Sequence, residues 1–256
     1  MRSWLGRLYV LPAMVAMALA AAVGTSLVLP LLLLPTGRRE GPSMAVAAAW
    51  SWFMVKVVLL TRVTVEGEKT LPEGGYLVIS NHRAWLDSPL LVMYTRAAGV
   101  AKKELVYIPF FGLGARATGT LFFDRKDPAS RSAVLEQATA TLRRGGRLHV
   151  FPEGTRTRDG CLASRVHLRI VEAAAAAGVP VVPACTWDTE RVLPSVKNEV
   201  WPGRSAGVAF GPPLRPEPGE AAFDFGARCW AMVIELADRH GANQPFRAPE
   251  PLQNQG

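Results

Sequence analysis

A histidine and an aspartate five positions apart are the residues of this chain best suited to acid–base chemistry. His82 and Asp87 lie in the segment NHRAWLD, which directly follows the apolar run Tyr76–Ser80. A carboxylate that bonds one ring nitrogen of a histidine fixes the tautomer and leaves the other nitrogen free to take a proton. We therefore interpret the pair as a general base, a role that typically contributes roughly 10²–10⁴-fold to a rate. The alternative is a histidine that caps or bridges a loop.

No obvious serine or cysteine nucleophile accompanies this histidine. Cys161 lies farther along the chain and has no identifiable activating base. The simplest mechanism is therefore direct: the histidine deprotonates a substrate hydroxyl, which attacks an activated acyl carbon. A metal site built from His82, Asp87 and Glu153 is a weaker alternative, because the H-x₄-D spacing is not the i, i+4 pair of a zinc helix. We expect no bound metal.

Two arginines could hold an anion near this base. Arg125 closes the segment GTLFFDR and Arg156 closes FPEGTR, and both follow short apolar runs. A guanidinium placed there can hold a phosphate through two parallel hydrogen bonds. Lys102 and Lys103 add positive charge, while Glu153 could orient Arg156 or bond a substrate hydroxyl. Solvated arginines paired with neighbouring carboxylates are the alternative. A base beside an anion clamp favours transfer chemistry on a phosphorylated substrate.

The elements that position these residues are predicted from apolar periodicity. We expect strands at Arg62–Glu66, Tyr76–Ser80, Thr120–Phe123, Leu148–Phe151, Val181–Ala184 and Gly207–Phe210. We expect helices at Asp87–Tyr94, with Asp87 or Ser88 as cap, and at Ala129–Arg143, Val166–Ala177 and Ala222–Arg239. This alternation predicts an α/β fold with a mixed, largely parallel sheet flanked by helices. The three polar segments then meet at the carboxyl edge of the sheet, where ligands bind in such folds.

The N-terminal region predicts a membrane anchor. The run Leu8–Pro35 has no charged residue and is long enough to cross the roughly 30 Å hydrocarbon core. A second apolar run, Met44–Leu60, carries two tryptophans and one lysine and fits an interfacial helix or a shallow second crossing. Gly37–Pro42 is interpreted as a polar hinge between the two. A signal peptide ending near Ala20 is the alternative, although the apolar run continues well past that site.

Length and charge agree with this division. The chain has 256 residues and a formal net charge of +8, which favours an anionic membrane surface over nucleic acid, because no nucleic-acid-binding motif is present. Its three cysteines form no C-x-x-C pair, so neither a disulfide framework nor a zinc site is indicated. We expect anchoring helices at 1–61, an enzymatic domain at 62–240 and a flexible tail at 241–256. The expected location is the cytoplasmic face of the cell membrane.

Five sequence blocks in order closely resemble the glycerolipid acyltransferases that acylate lysophosphatidic acid. The blocks are NHRAWLD from Asn81, KEL from Lys103 with Ile108, Pro109 and Gly112, FDR from Phe123, FPEGTR from Phe151, and VPVVP from Val179. The resemblance runs from about residue 62 to 214. It implies a fatty acyl donor, acyl-CoA or acyl-carrier protein, with no cofactor.

The resemblance also implies roles for single residues. His82 becomes the base and Asp87 its partner. The expected substrate-binding residues are Lys103, Arg125, Glu153, Gly154, Thr155, Arg156 and Pro183, the last closing the apolar part of the pocket. One departure concerns the acceptor: many members carry Phe-Lys-x-Gly after the third motif, whereas this chain has Leu162–Arg169, in which His167 and Arg169 could replace that lysine.

Three further functions stay open at this point. The acceptor could be another lysophospholipid or a lyso-aminolipid. The chain could also be a membrane lipid-binding protein without catalysis, or a hydrolase if the pocket admits water.

Overall fold

The sheet has seven strands, and most of them are parallel. A computed structural model describes residues 3–35, 37–108, 110–194 and 199–246, with side chains from residue 8 onward. The strands are β1 (Arg62–Glu66), β2 (Tyr76–Ser80), β3 (Ala98–Lys102), β4 (Leu121–Phe123), β5 (Arg147–Val150), β6 (Val181–Trp187) and β7 (Ser205–Phe210). Their order is β1-β7-β6-β2-β5-β3-β4, and within it only the β6–β7 pair is antiparallel. The predicted mixed, largely parallel sheet is confirmed. Pro109 and residues 247–256 of the predicted tail lie outside the described residues.

Helices cover the sheet and precede it. They are α1 (Ser3–Val28), α2 (Glu40–Trp52), α3 (Asp87–Thr95), α4 (Phe111–Ala117), α5 (Pro128–Arg143), α6 (Arg169–Ala177), α7 (Thr189–Val192) and α8 (Ala222–Arg239). Short 3₁₀ turns lie at Pro30–Leu33, Glu68–Thr70 and Lys103–Tyr107, and α2 continues as a π-helical stretch over Phe53–Val58.

The core explains why β2 is an uninterrupted apolar run. Every residue of β2 is buried, because the strand lies between β5 and β6 and helices cover both of its faces. Leu77 and Ile79 pack with α5, α6 and α8, whereas Val78 packs with Leu91 of α3. A strand that is buried on both faces shows no alternation of apolar and polar residues. Its sequence therefore indicates that the segment is buried, but it lacks the two-residue period of a half-buried strand. The candidate site residues that follow β2 are therefore attached to a fully buried strand.

Strand β3 was not predicted from the sequence. Its residues, AGVAK, include small side chains that have little intrinsic preference for extended structure. The strand forms because β5 and β4 bond it on either side. This element matters for the site, since it ends at Lys102.

Helix α1 packs against the rest of the chain. The Tyr9 hydroxyl donates to the Val58 carbonyl at 2.6 Å, and the Thr25 hydroxyl donates to the Phe110 carbonyl at 2.9 Å. Ala13 is 1% exposed within the contact. The opposite side of α1 is apolar and exposed at Leu8, Leu11, Leu19, Val23 and Leu27. Residues Leu8–Leu33 are long and apolar enough to cross a membrane, by length and composition, with mean hydropathy 2.2.

The predicted polar hinge at Gly37–Pro42 is partly wrong. Helix α2 already begins at Glu40, so Gly41 and Pro42 are helical. Proline is tolerated in the first turn of a helix, because an N–H group there has no acceptor within the helix and its absence costs nothing. A glutamate at the same end is favoured by the helix dipole. The second apolar run packs against the domain, since Val55 and Leu59 share a buried cluster with Leu86 and Leu90.

Candidate active site

The predicted polar residues meet at one edge of the sheet. His82 follows β2, Glu153 follows β5, Lys102 ends β3 and Arg125 follows β4. These four strands are mutually parallel, so their carboxyl ends lie side by side. The expectation that the three motifs share this edge is met by the topology.

His82 and Asp87 form the predicted pair. The ring nitrogen Nδ1 of His82 lies 2.8 Å from Oδ2 of Asp87, and the side chain of His82 is 18% exposed. Phe151 stacks on the imidazole, with ring centroids 3.9 Å apart and an interplanar angle of 10°. Because an ionised carboxylate can only accept, Nδ1 carries the proton and Nε2 is left as the free acceptor. Within the described part of the chain, Nε2 makes no hydrogen bond.

Asp87 is a fully buried carboxylate with five donors. Its side chain is 0% exposed. The donors are His82 Nδ1, Arg83 N at 2.6 Å and Ala84 N at 2.8 Å on Oδ2, with Thr186 Oγ1 at 3.0 Å and Thr189 Oγ1 at 2.6 Å on Oδ1. The predicted capping role is wrong: α3 starts at Asp87 itself, Leu86 is the N-cap, and no side chain caps the helix. The carboxylate turns back to the preceding loop because backbone N–H groups and the imidazole are there to bond it.

Sequence reasoning missed Asn81 and the two threonines. Asn81 is fully buried; its Nδ2 donates to the Thr186 carbonyl at 2.9 Å and its Oδ1 accepts from Thr186 N at 2.8 Å. These bonds tie the end of β2 to the end of β6. The threonines lie about a hundred positions from Asp87 in the sequence, so no local pattern could connect them.

Glu153 joins the loop after β5 to the loop after β2. Oε1 accepts from the backbone N–H of His82 at 2.7 Å, and Oε2 accepts from Ala163 N at 3.0 Å. Thr157 N donates to the His82 carbonyl at 2.8 Å, which completes the connection. Burial raises the pKa of Glu153, while these backbone donors oppose the rise. In the described residues both oxygens of Glu153 accept from backbone N–H groups, and neither bonds Arg156.

Three cations lie together beside this connection. The pKa of Lys102 is lowered by burial and by the positive charges of Arg125 and Arg156. Burial also lowers the pKa of each arginine. Gly154 adopts a left-handed conformation with φ +68°, which is strained for residues with a side chain, and a Cβ there would lie 3.2 Å from Arg125 Nη2. Among the described residues, none of the three cations forms an ion pair.

Arg156 is held by an aromatic ring instead of a carboxylate. Its guanidinium carbon lies 4.2 Å from the ring centroid of Trp85, whose side chain is half exposed. One terminal nitrogen, Nη1, is buried without a hydrogen-bond partner in the described part of the chain. A buried donor left unpaired costs free energy, which a bound anion would recover.

The structure separates Lys102 from Lys103. Lys103 pairs with Asp124 at the surface, so its ammonium is already occupied. Thr155 is exposed, and Pro183 is buried inside β6, paired in register with Ile79. The residues that come together are therefore His82, Asp87, Arg125, Glu153, Gly154 and Arg156. They are joined by Lys102, which the sequence indicated only as an added positive charge.

The G-x-S-x-G pattern occurs once outside the motifs, at 203–207. Ser205 begins β7, and the turn before it leads into a strand. A nucleophile elbow needs a strand, a tight turn and then a helix, so the pattern lacks its structural context here.

His149 lies behind the site, although the sequence did not place a second histidine near His82. It is 3% exposed in β5, and its Nδ1 donates to the Ala97 carbonyl at 2.9 Å, so Nε2 accepts from the Ser88 hydroxyl at 3.0 Å. Its ring meets Phe151 edge to face at 5.8 Å. Burial lowers the pKa of His149 to about 4. The ring is therefore neutral at neutral pH and supports the aromatic ring on which His82 stacks.

Residues 62–187 match the family model described as Acyltransferase. These residues form an acyltransferase domain. It is 29% identical over 207 residues to the 1-acyl-sn-glycerol-3-phosphate acyltransferase of Pseudomonas aeruginosa, covering 78% of each chain. It is 34% identical over 137 residues to the human alpha enzyme of the same name, covering 50% of this chain and 47% of that one. A chloroplastic relative from Arabidopsis thaliana is 29% identical over 147 residues.

The fold has a counterpart among solved structures. The crystal structure of the 1-acyl-sn-glycerophosphate acyltransferase PlsC from Thermotoga maritima superposes with a TM-score of 0.78, at 24% identity, covering 97% of this chain and 98% of that one. At this identity the likeness shows the fold alone. The chain spans 41% of the length of the Arabidopsis relative and 47% of that of the human one.

The buried His149 predicts a pH dependence of stability. In the unfolded chain a histidine has a pKa of about 6.5, whereas in the folded protein the pKa is about 4. Between these values the unfolded state binds more protons, so stability is complete above about pH 6.5 and is lost as the pH falls toward 4. The depressed pKa should lower the free energy of unfolding by about 2 kcal/mol between pH 7.5 and 5.

Replacing His149 by Gln removes this titration and keeps a donor and an acceptor. Chemical unfolding in detergent at both pH values should show a loss that is about 2 kcal/mol smaller for the variant than for the wild type. Equal losses in both proteins would mean that His149 titrates normally.

Proposed function

We propose that this chain transfers a fatty acyl group from acyl-CoA or acyl-carrier protein to the free hydroxyl of lysophosphatidic acid, giving phosphatidic acid. The observation that supports this most directly is that an oriented base lies at the same sheet edge as a cluster of cations, none of which forms an ion pair within the described ranges. The base is His82 held by Asp87, and the cluster is Lys102, Arg125 and Arg156. The names of the relatives point to the same reaction.

The reaction follows from the free ring nitrogen. Nε2 of His82 accepts the proton of the acceptor hydroxyl as its oxygen attacks the thioester carbon. The tetrahedral intermediate then collapses, the carbon–sulfur bond breaks, and the imidazolium returns the proton to the departing thiolate. Asp87 stabilises the imidazolium in between, because it bonds Nδ1–H and cannot move away from it.

The acceptor's phosphate fits the cation cluster. Lys102, Arg125 and Arg156 repel one another, and a phosphate placed among them relieves that repulsion and supplies the missing acceptor for Arg156 Nη1. We assign the lysine contact to Lys102 rather than to the predicted Lys103, whose ammonium is bonded to Asp124. Glu153 and Gly154 then serve by holding the loop, and Thr155 lies exposed at its tip.

The anchor completes the proposal. Both substrates carry acyl chains that lie in or near a bilayer, so the site should lie close to the interface. The exposed apolar side of α1 can enter the bilayer, and Trp52, which is 52% exposed, suits the headgroup level. We propose that residues 1–61 anchor the domain 62–240 at the cytoplasmic face of the membrane.

Removing the base tests the mechanism. His82→Ala should lower turnover by roughly two or more orders of magnitude, because the motifs contain no other candidate for the general base. Asp87→Asn should also be severe, since the amide favours the wrong imidazole tautomer. The measurement is thiol release from acyl-CoA with and without lysophosphatidic acid, on variants whose thermal unfolding matches the wild type. Near-normal turnover of a folded His82→Ala protein would end this mechanism.

Neighbouring pairs of charged residues test the phosphate site. Lys102→Ala and Arg156→Ala should each raise the KM for lysophosphatidic acid roughly 10–100-fold, the loss expected for one charge-assisted contact, with little effect on the donor KM. Lys103→Ala and the exposed Arg158→Ala are matched controls and should change it less than about threefold. If Lys103→Ala were the more damaging of the two lysine variants, the original sequence-based assignment would be right. A panel that includes lyso-aminolipids separates the alternative acceptors.

Salt extraction tests the anchor. A protein held by α1 should remain with membranes in 1 M salt, because surface charges alone are screened within about 3 Å at that concentration. Sedimentation after salt washing measures this. Mass spectrometry should also show that the mature protein retains residue 8 and the residues that follow it. A salt-released protein, or an N-terminus near Ala21, would revive the signal-peptide alternative.

A further inference from the structure

Arg83 is a buried cation between the proposed catalytic residues. It is 4% exposed, and its guanidinium grips Glu190 with two bonds, Nε to Oε2 at 2.9 Å and Nη2 to Oε1 at 3.0 Å. Its remaining nitrogen, Nη1, donates to the carbonyls of Gly160 at 2.8 Å and Ala242 at 2.5 Å. Burying a cation is costly unless it is paired and fully bonded, so these partners constrain one another's positions. Arg83 thereby connects the His82 turn to two distant segments.

One of those segments is the stretch after α8, which we call the strap and define as residues 242–246. Asn243 Oδ1 accepts from Leu162 N at 3.0 Å, and Phe246 N donates to the Asp159 carbonyl at 2.7 Å. The Phe246 ring lies 5.1 Å from the guanidinium carbon of Arg83. Residues 241–256 were expected to form a flexible tail. In the structure, residues 242–246 bond a loop of the site.

The loop that the strap contacts is the one that carries Arg156, residues 153–163. Its described residues contain no helix or strand, so side chains and neighbouring segments must hold it. One side is fixed to the His82 turn through Glu153 and Thr157. The other side, Asp159–Leu162, is fixed by the strap and by Arg83. Contact is so close at Gly160 that a Cβ would lie 2.4 Å from the Gln244 carbonyl oxygen.

We propose that Arg83 and the strap position the loop 153–163 and so set the affinity for the phosphate-bearing acceptor. This inference rests on the proposed function, because it assumes that Arg156 contacts the acceptor. Arg83 is a positioning residue: its guanidinium is spent on Glu190 and two carbonyls. A purely structural role would weaken the whole domain and affect donor and acceptor alike. A positioning role acts on the acceptor, because the strap bonds the far side of the loop, Asp159–Leu162, whereas the ring of His82 is held by Asp87 and Phe151.

Two truncations of the full-length protein test the strap. A chain ended after Gly241 lacks the strap, whereas a chain ended after Phe246 keeps every contact described above and serves as the control. The strapless chain should show a KM for lysophosphatidic acid raised about tenfold or more, the cost of losing several backbone bonds, with the donor KM changed less than about twofold. The control should match the wild type.

Hydrogen exchange supplies a readout that does not depend on activity. Peptides covering 153–163 should exchange faster in the strapless chain, while peptides covering 76–82 should not change. If the proposed function is wrong, transfer to lysophosphatidic acid is absent even in the wild type but this exchange difference persists. If exchange in 153–163 stays at the wild-type level, or rises equally in both regions, the positioning role is overturned.

Point variants protect the test against misfolding of the truncated chain. Asn243→Ala removes one strap bond, and Arg83→Lys keeps the charge but cannot bond Glu190 and both carbonyls together. Gly160→Ala should displace the strap, whereas Gly203→Ala, which has a similar positive φ but an open surrounding, is its control. The first three should raise the acceptor KM selectively and Gly203→Ala should not. Equal effects on donor and acceptor would contradict the proposal.

Discussion

The site depends on one buried carboxylate. Asp87 has no solvent exposure, and a charge in that position is tolerated only because five donors from three parts of the chain converge on it. Two of the donors are backbone groups of the turn after β2, and two are threonines from β6 and α7. The fifth is the imidazole of His82. The requirement to satisfy Asp87 therefore fixes the tautomer of the base and the path of the surrounding backbone together.

The aromatic packing around His82 serves the same end by different means. Phe151 lies flat on the imidazole, and His149 supports Phe151 from its edge while remaining neutral through burial. A neutral support matters, because a second positive ring so near would disfavour the imidazolium on which proton transfer depends. Hydrogen bonds thus set the direction of the His82 ring, and stacking sets its plane.

The sequence predicted those parts of the molecule that local patterns encode. The apolar run of β2 and the His82–Asp87 spacing are such patterns, and the corresponding strand and contact are present. Strand β3 was not predicted, because its alanines and glycine have little intrinsic preference for a strand and form one only between the neighbouring strands β4 and β5. Thr186 and Thr189 could not be found, since their bond to Asp87 spans about a hundred residues.

Electrostatic neighbours were the hardest to predict. Lys102 and Lys103 are adjacent in the sequence, and only the end of β3 decides which faces Arg125 and which meets Asp124. Glu153 was predicted to act through its charge on Arg156 or on substrate. In the structure its two oxygens accept from the backbone N–H groups of His82 and Ala163, bonds that no composition or spacing could reveal.

This use of Glu153 has a consequence for the chemistry. In the proposed acceptor the reactive hydroxyl and the phosphate belong to one small molecule, so the distance between base and cations must suit that molecule. Arg156 lies three residues from Glu153, and Glu153 bonds the backbone N–H of His82 itself. The base and the anion clamp are thus joined by one direct hydrogen bond rather than through the bulk of the domain. Glu153, which is close in sequence to the clamp, is bonded directly to His82, which is the base. A small shift in the packing of helices or strands therefore has little effect on the distance between the base and the clamp, which proton transfer requires.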